Sequence, residues 1–382
     1  MSSGGGPPAD STASEEVRHE LEREGLAFRL LESAEITDDI AAEMLALFRA
    51  GFGQWPFIEA EVSDLDYLRW KMCGPATSLG SYQGRLGSRL VYSTIAFASW
   101  VRIGGARRLR LSFLDACVDP AARGRGIFSR AVAHQQEMRY RCDFSMHERS
   151  SASEVRRRLR RRDQRPLGNR VKVLSRVLVP SGLPALYRGP RRLPALTASF
   201  AGWALGSILA GTRRKPAAPA RLVSRFDARF DPLFECAAGS FDVIAERTSQ
   251  FLSWRYGDRR GGRYVARELN EGDRIVGYAV VRTVGPRAYL ADLLVLPGRR
   301  DAVETLVADA VAIATASGAA MIDCWLPRRH PYRAALQRQG FFDRGRDAGV
   351  SYHPIELPAE EIALLGDRRA RIHYTLGDTD LV

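Results

Sequence analysis

Apolar and polar positions along this chain predict strands and helices that succeed one another in one order, twice. In the first half Phe28 to Leu31 reads as a strand and Thr37 to Gly51 as a helix, with Thr37 as its hydroxyl N-cap. Asp64 to Met72 predicts a second helix. Ser88 to Ile103 and Leu109 to Val118 are rich in apolar and β-branched residues and predict strands. A helix starts near Gly126 with Ile127, Ala131 and Val132 as apolar positions, and a short strand follows from Cys142 to Met146. Arg170 to Val179 alternates Val171, Val173 and Val177 as a closing strand would. In the second half Tyr264 to Glu268, Arg274 to Val284 and Ala288 to Val295 predict strands, and Asp301 to Ser317 a helix. Ala320 to Leu326 reads as a strand, Tyr332 to Gly340 as a helix, and the last strand falls near Gly349 to Ile355.

The two series look like a duplication. Tyr67-Leu68-Arg69-Trp70-Lys71-Met72 matches Phe251-Leu252-Ser253-Trp254-Arg255-Tyr256, 184 residues later. Asp115-Ala116-Cys117-Val118-Asp119-Pro120 matches Asp292-Leu293-Leu294-Val295-Leu296-Pro297, 177 residues later. Two matches in the same order point to a repeated domain. The element order predicts an α/β fold, a mixed α+β sheet with helices on its faces. The 382 residues divide into a leader over 1–22, domains over 23–180 and 221–358, a linker over 181–220 and a tail over 359–382.

Leu111 to Val132, LSFLDACVDPAARGRGIFSRAV, carries the candidate chemistry. A strand ends at Val118-Asp119-Pro120, a glycine-rich loop follows, and a helix begins at once. The first turn of a helix has unsatisfied N–H groups and the positive end of the helix dipole, so it suits a pyrophosphate. Gly124 and Gly126 allow close backbone approach and positive φ, while Arg123 and Arg125 add charge. No G-x-G-x-x-G occurs there, which argues against a dinucleotide fold.

The order V-x-P-x-x-R-G-x-G-I, carried by Val118, Pro120, Arg123, Gly124, Gly126 and Ile127, resembles the acyl-CoA signature of the GNAT N-acetyltransferase superfamily. Many members have Gln or Arg where this chain has Ala121. The resemblance implies two GNAT-like domains in tandem and acetyl-CoA or another acyl-CoA as co-substrate, with no metal. It implies a binding segment formed by Cys117, Val118, Arg123, Gly124, Arg125, Gly126, Ile127 and Phe128. In the second copy Pro297 is followed by Gly298-Arg299-Arg300-Asp301-Ala302, without the R-G-x-G, so a single CoA site in the N-terminal half is expected. The doubled layout and the tail Tyr374 to Asp380 are similar to those of FemAB-like and cell-envelope-associated acyltransferases. That similarity implies a small-molecule or sugar amine as acceptor, such as an amino sugar of envelope polysaccharide. Two alternatives stay open: a FemAB-like aminoacyl transferase drawing on charged tRNA, and a catalytically silent pair serving as sensor or scaffold.

Acyl transfer to an amine needs a neutral amine, a polarised carbonyl and a proton for the leaving thiolate. The resemblance implies a strand bulge that aims a backbone N–H at the carbonyl, here at Cys117 or Val118, and a carboxylate base nearby. Asp115 is the candidate base, with a capping role as the structural alternative; Asp292 at the matching place in the second copy favours the latter. His147, just after the short strand, has a side chain suited to proton transfer near neutrality, with Glu148 beside it. The general acid is unassigned, because Ser150, Ser151 and Ser153 stand where the family carries a tyrosine. Cys117 reads as an inert core thiol.

Charge changes the picture little. The formal charge of +13 comes from 57 basic residues of which only Lys71, Lys172 and Lys215 are lysines, a bias typical of GC-rich coding. A general attraction to anions follows; specific nucleic-acid binding does not. The run Arg156 to Arg162 reads as a solvated face, with a phosphate clamp as the alternative. Five scattered cysteines without a C-x-x-C pair argue against disulfides and zinc and fit a reducing cytoplasm. The polar N-terminus has no signal-peptide pattern. Leu193 to Gly211 is uncharged and flanked by arginines, and reads as an inter-domain helix, with peripheral membrane contact and a single membrane span as alternatives. Composition leaves the oligomeric state open.

Overall fold

A computed structural model describes residues 25–56, 61–77, 79–137, 142–148, 164–186, 196–197, 204 and 220–379. In the first half these form β1 (Leu26–Glu32), α1 (Asp38–Phe52), α2 (Asp64–Met72), β2 (Leu79–Leu86), β3 (Arg89–Ile103) and β4 (Ala106–Val118). α3 (Ile127–Glu137), β5 (Phe144–His147), β6 (Arg165–Pro166) and β7 (Val171–Val177) complete it. In the second half they form β8 (Arg221–Leu222), α4 (Phe230–Ala238), β9 (Val243–Ala245), α5 (Ser249–Leu252), β10 (Val265–Glu271), β11 (Arg274–Val284) and β12 (Arg287–Val295). α6 (Arg300–Ala316), β13 (Met321–Pro327), α7 (Arg333–Arg338), β14 (Phe342–Asp347), β15 (Ser351–Pro354), α8 (Ala359–Gly366) and β16 (Ile372–His373) follow. The Arg156 to Arg162 run lies outside the described residues, as does all but 196–197 and 204 of the 193–211 segment. Among the described residues no helix is long and apolar enough to cross a membrane.

Local chemistry sets the helix starts. Thr37 accepts the Ile40 N–H at 3.4 Å, Ser63 the Asp66 N–H at 3.1 Å, and Thr248 the Phe251 N–H at 3.2 Å. β2 was not expected from the sequence. Its glycines interrupt the strand pattern, yet a Cβ on Gly84 would come within 2.6 Å of the Phe28 ring, and one on Gly80 within 2.7 Å of Ile36. Glycine stands there because β1 and the turn after it pack directly on the backbone.

Two mixed sheets result. The first runs β1-β2-β3-β4-β5-β15-β6, with β9 against β3 and β16 beside β9; the second runs β14-β7-β13-β12-β11-β10-β8. β7, which the sequence suggested as the closing strand of the first copy, lies instead between β13 and β14 in the second sheet. β15 returns the exchange by lying between β5 and β6 in the first. Strand pairing is indifferent to which half of the chain supplies the strand, so alternation alone could not show this.

The largest core packs α4 and α6 on the second sheet, including Phe230, Phe234, Tyr278, Leu294, Leu306 and Val307. α1 and α2 cover one face of the first sheet through Phe48, Leu68, Trp70 and Ile95; Ile127 and Ala131 of α3 join Tyr82 and Tyr92 on the other. A third cluster draws Val101, Phe144, Tyr352, Ile372 and Tyr374 from both halves into one interior.

Candidate active site

Asp119 shapes the glycine loop from both sides. Its amide donates to the Val91 carbonyl at 2.9 Å, and its carboxylate accepts the Ala121 N–H at 2.9 Å while binding Arg89 at 2.6 Å. The turn Pro120–Ala122 is thereby fixed before the chain enters Gly124 and Gly126, at φ +81° and +72°. A Cβ on Gly124 would meet nothing within 4 Å, so glycine is required by the backbone conformation and not by packing. Ile127 is buried against the sheet, Phe128 meets Tyr92 edge-on, and the first helical bond runs from Arg130 N–H to Gly126. The preceding amides belong to the first turn of the helix, the place where a pyrophosphate would meet them. Arg123 does something the sequence did not suggest: its guanidinium donates to the Gly51 carbonyl at 2.8 Å and ties the loop to the end of α1.

The strand leading to the loop is bulged. Ser93 pairs with Cys117 and Ile95 with Leu114, so Thr94 alone faces both Asp115 and Ala116. The irregularity thus sits just before the Cys117–Val118 pair named from the sequence. Asp115 has φ +50°, unique among the described non-glycine residues, and such a conformation costs about 1–3 kcal/mol. Its side chain offsets that cost: the carboxylate accepts Lys71 Nζ at 2.7 Å and Trp55 Nε1 at 3.1 Å, and the acid and lysine are only 6% and 7% exposed. Thr94 Oγ1 donates to the Leu114 carbonyl at 2.6 Å and holds the other end of the bulge. Because Asp119 and Cys117 are hydrogen-bonded to β3, alternation turns the Val118 N–H and C=O to the far edge of β4. There β5 diverges, with a backbone register only at Arg110 and Phe144, so among the described residues no strand pairs with the far edge of β4 beside the loop.

His147 is buried at the last position of β5, opposite Ser351 of β15. Glu148 accepts the phenol of Tyr374, whose own pKa burial pushes well above its ordinary value. Arg110 donates to Ser99 Oγ at 2.8 Å and to the Asp378 carbonyl at 3.1 Å, so the chain from Tyr374 to Thr379 is laid across β3, β4 and β5. Trp55, Lys71 and Tyr374 were missed by sequence reasoning. No spacing rule links them to β4; only Lys71, one of three lysines among so many arginines, stood out in the composition. The Cys117 thiol is buried, pushed up to about 11 by desolvation, and 3.5 Å from the Leu47 carbonyl, which suits a packing residue.

The second copy keeps the frame and loses the opening. β12 carries its own register shift between Val280 and Val281, with Asp292 beside it. Asp292 is fully buried and accepts Arg247 Nε at 2.9 Å and the Tyr278 phenol at 3.0 Å. Desolvation opposes its charge, yet Arg247 and His373 hold its pKa well below the usual carboxylate range. At the strand end Tyr332 occupies the edge itself: its phenol donates to the Val295 carbonyl and accepts the Val295 N–H, both at 3.0 Å. Among the described residues no group of three or more His, Cys, Asp or Glu side chains could hold a metal.

No protein-family model matches the sequence, and no curated protein matches it. Solved structures do match. A GCN5-related N-acetyltransferase from Anabaena variabilis superposes with a TM-score of 0.57 over 86% of this chain and 73% of that one, at 12% identity. The fold is that of the GNAT N-acyltransferases. Saccharomyces cerevisiae N-myristoyltransferase, solved with bound myristoyl-CoA, matches with a TM-score of 0.54 over 87% of this chain and 80% of that one, at 11% identity. Eis1 from Mycobacterium abscessus matches with a TM-score of 0.51 over 89% and 76%, at 14% identity. The GNAT fold therefore accounts for both sheets together.

Proposed function

We propose that this chain is an acyl-CoA-dependent N-acyltransferase with its reactive centre in the first half. One observation carries the reading: a strained bulge at Asp115–Ala116 adjoins a strand edge that no described strand pairs with, and that strand runs into a twin-glycine loop and a helix N-terminus. The residues present fit acyl-CoA. Amides around Gly124 to Phe128 would receive the pyrophosphate, and the outward N–H and C=O of Val118 would pair with the amide-bearing arm. The acyl carbonyl then lies along β4 toward the bulge.

In the reaction the acceptor amine forms a C–N bond to the acyl carbon, the C–S bond breaks, and the amine's proton leaves as the thiolate gains one. Asp115, held by Lys71 and Trp55, is the proposed proton acceptor, with His147 as the second candidate. The Tyr374–Glu148 pair supplies a phenol at the end of β5, the group the sequence alone left unassigned. The acceptor class, an amino sugar or nucleotide-linked sugar of envelope polysaccharide, and a cytoplasmic setting are carried by analogy with tandem acyltransferases.

The test is calorimetric titration with acetyl-CoA and longer acyl-CoAs, on the native chain and on Gly126→Asp, followed by an amine screen read by thiol release. Saturable binding lost in the variant, and thiol release that depends on an amine, are the expected results. A native chain that binds no CoA would overturn the reading and turn attention to charged tRNA or a scaffold role. Binding without turnover on any amine would favour the sensor.

A further inference from the structure

The position in the second half that corresponds to the acyl-CoA loop is neither closed nor featureless. A cleft of about 730 Å³ opens there, between the β12–α6 turn and the segment after β13. That volume lies within the range of small-ligand sites. Its floor is apolar, formed by Phe241, Leu296, Val303 and Ala335. Its rim carries four guanidinium groups, Arg299, Arg300, Arg329 and Arg371. Two of them already have carboxylates: Arg299 binds Glu271 at 2.7 Å and Asp301 at 2.8 Å, and Arg371 binds Asp242 at 2.8 Å. Arg300 and Arg329 are exposed, and no carboxylate among the described residues pairs with either. Gly298, at φ +80°, turns the chain into α6, whose first turn has no side-chain cap.

An apolar floor under an arginine rim suits a ligand with a flat ring and phosphates. Guanidinium groups grip phosphate oxygens in pairs, and a ring can lie against Pro297 and Pro331, which line the same cleft and are exposed. The same place cannot serve as a second transfer site. Tyr332 takes both backbone groups of Val295, which a pantetheine arm would need, and Asp292 beneath is committed to Arg247 and Tyr278. We propose that the cleft lined by Phe241, Arg300 and Arg329 binds a nucleotide phosphate without turning it over. A free nucleotide and the phosphorylated adenosine end of a coenzyme share this chemistry. The site is independent of catalysis in the first half.

The test uses the full chain carrying Gly126→Asp, which removes the first loop from the measurement. ADP, adenosine 3′,5′-bisphosphate, CoA and inorganic pyrophosphate are titrated against it and against the same chain with Arg300→Ala and Arg329→Ala. Both arginines are exposed, so circular dichroism and the melting temperature should be unchanged and report that the fold is intact. One equivalent of an adenine nucleotide bound, at least tenfold more weakly in the arginine variant, is the expected result. Tighter binding of CoA than of ADP would identify a coenzyme end as the source, and the reverse a free nucleotide; either supports the site. Binding of no adenine nucleotide, or affinity unchanged by the two substitutions, would overturn it.

Discussion

Trp70 and Trp254 exchange hydrogen bonds across the junction of the two halves. The Trp70 indole donates to the Trp254 carbonyl at 2.9 Å, the Trp254 indole donates to the Trp70 carbonyl at 3.2 Å, and their rings stack with centroids 5.1 Å apart. Each indole thus donates to the other residue's carbonyl, a reciprocal contact of the kind found in self-complementary interfaces. Trp254 also lies against Phe97 of β3, which brings the junction to the face of the first sheet that holds the bulge.

Replacing either indole by Phe leaves one carbonyl without its donor and should cost about 1–3 kcal/mol. The double variant should cost less than the sum, by about 0.5–1.5 kcal/mol, because the stacking pair is shared. Urea denaturation of the four proteins checks this. Strict additivity would mean that the two bonds act independently.

Arg247 is the most consequential ion-pair residue. It has no exposed surface and donates to Asp292, Asp378, Thr375 and the Ala245 carbonyl, joining both sheets to the last described segment. Arg247→Met leaves two buried carboxylates uncompensated and should cost about 3–5 kcal/mol. Arg69→Ala, which breaks a surface pair with Asp38, should cost about 0–1 kcal/mol. Equal losses in chemical denaturation would contradict the assignment.

His330 makes stability depend on pH near neutrality. Its Nδ1 accepts the Tyr332 N–H at 3.2 Å and its Nε2 faces His373 Nδ1 at 3.0 Å. Burial, reinforced by His373, drives its pKa well below the ordinary value. The folded chain keeps it neutral while the unfolded chain protonates it, so its contribution is complete above about pH 6.5 and falls as pH drops below that. The slope should approach about 1.4 kcal/mol per pH unit. Asp292 acts lower: its depressed pKa gives stability that is present above about pH 4 and lost only on further acidification. Denaturation midpoints at pH 7.5, 6 and 5 for the native chain and His330→Gln should converge as pH falls. Parallel curves would exclude His330 as the cause.

The cysteines should separate by reactivity. Cys73 and Cys236 are exposed, whereas Cys117 and Cys324 are buried, with the Cys117 thiol pushed up to about 11. Timed alkylation followed by peptide mapping should label the exposed pair in minutes, and the buried pair only after denaturant is added. Rapid labelling of Cys117 in the folded chain would argue for a reactive thiol on β4.

Much of the architecture was legible from local signals. The Thr37 cap and the strand–loop–helix from Leu111 to Val132 are properties of neighbouring residues, and each stands where the sequence put it. β2 was hidden because its glycines answer to Phe28 and Ile36, contacts made far along the chain. The site was legible in its loop but not in its partners: Trp55, Lys71 and Tyr374 reach β4 and β5 from elsewhere in the fold.

By itself, then, the sequence determined the period of most elements, the caps and a glycine loop between strand and helix, because these depend on backbone geometry within a few residues. Tertiary structure alone decided that β7 and β15 change places, that Asp115 is held in a left-handed bulge by Lys71, and that Tyr332 closes the second strand edge while a basic cleft stays open beside it. Each of those outcomes is a competition among groups distant in sequence for one hydrogen bond or one strand edge. Such competitions are settled by packing, which local pattern does not encode.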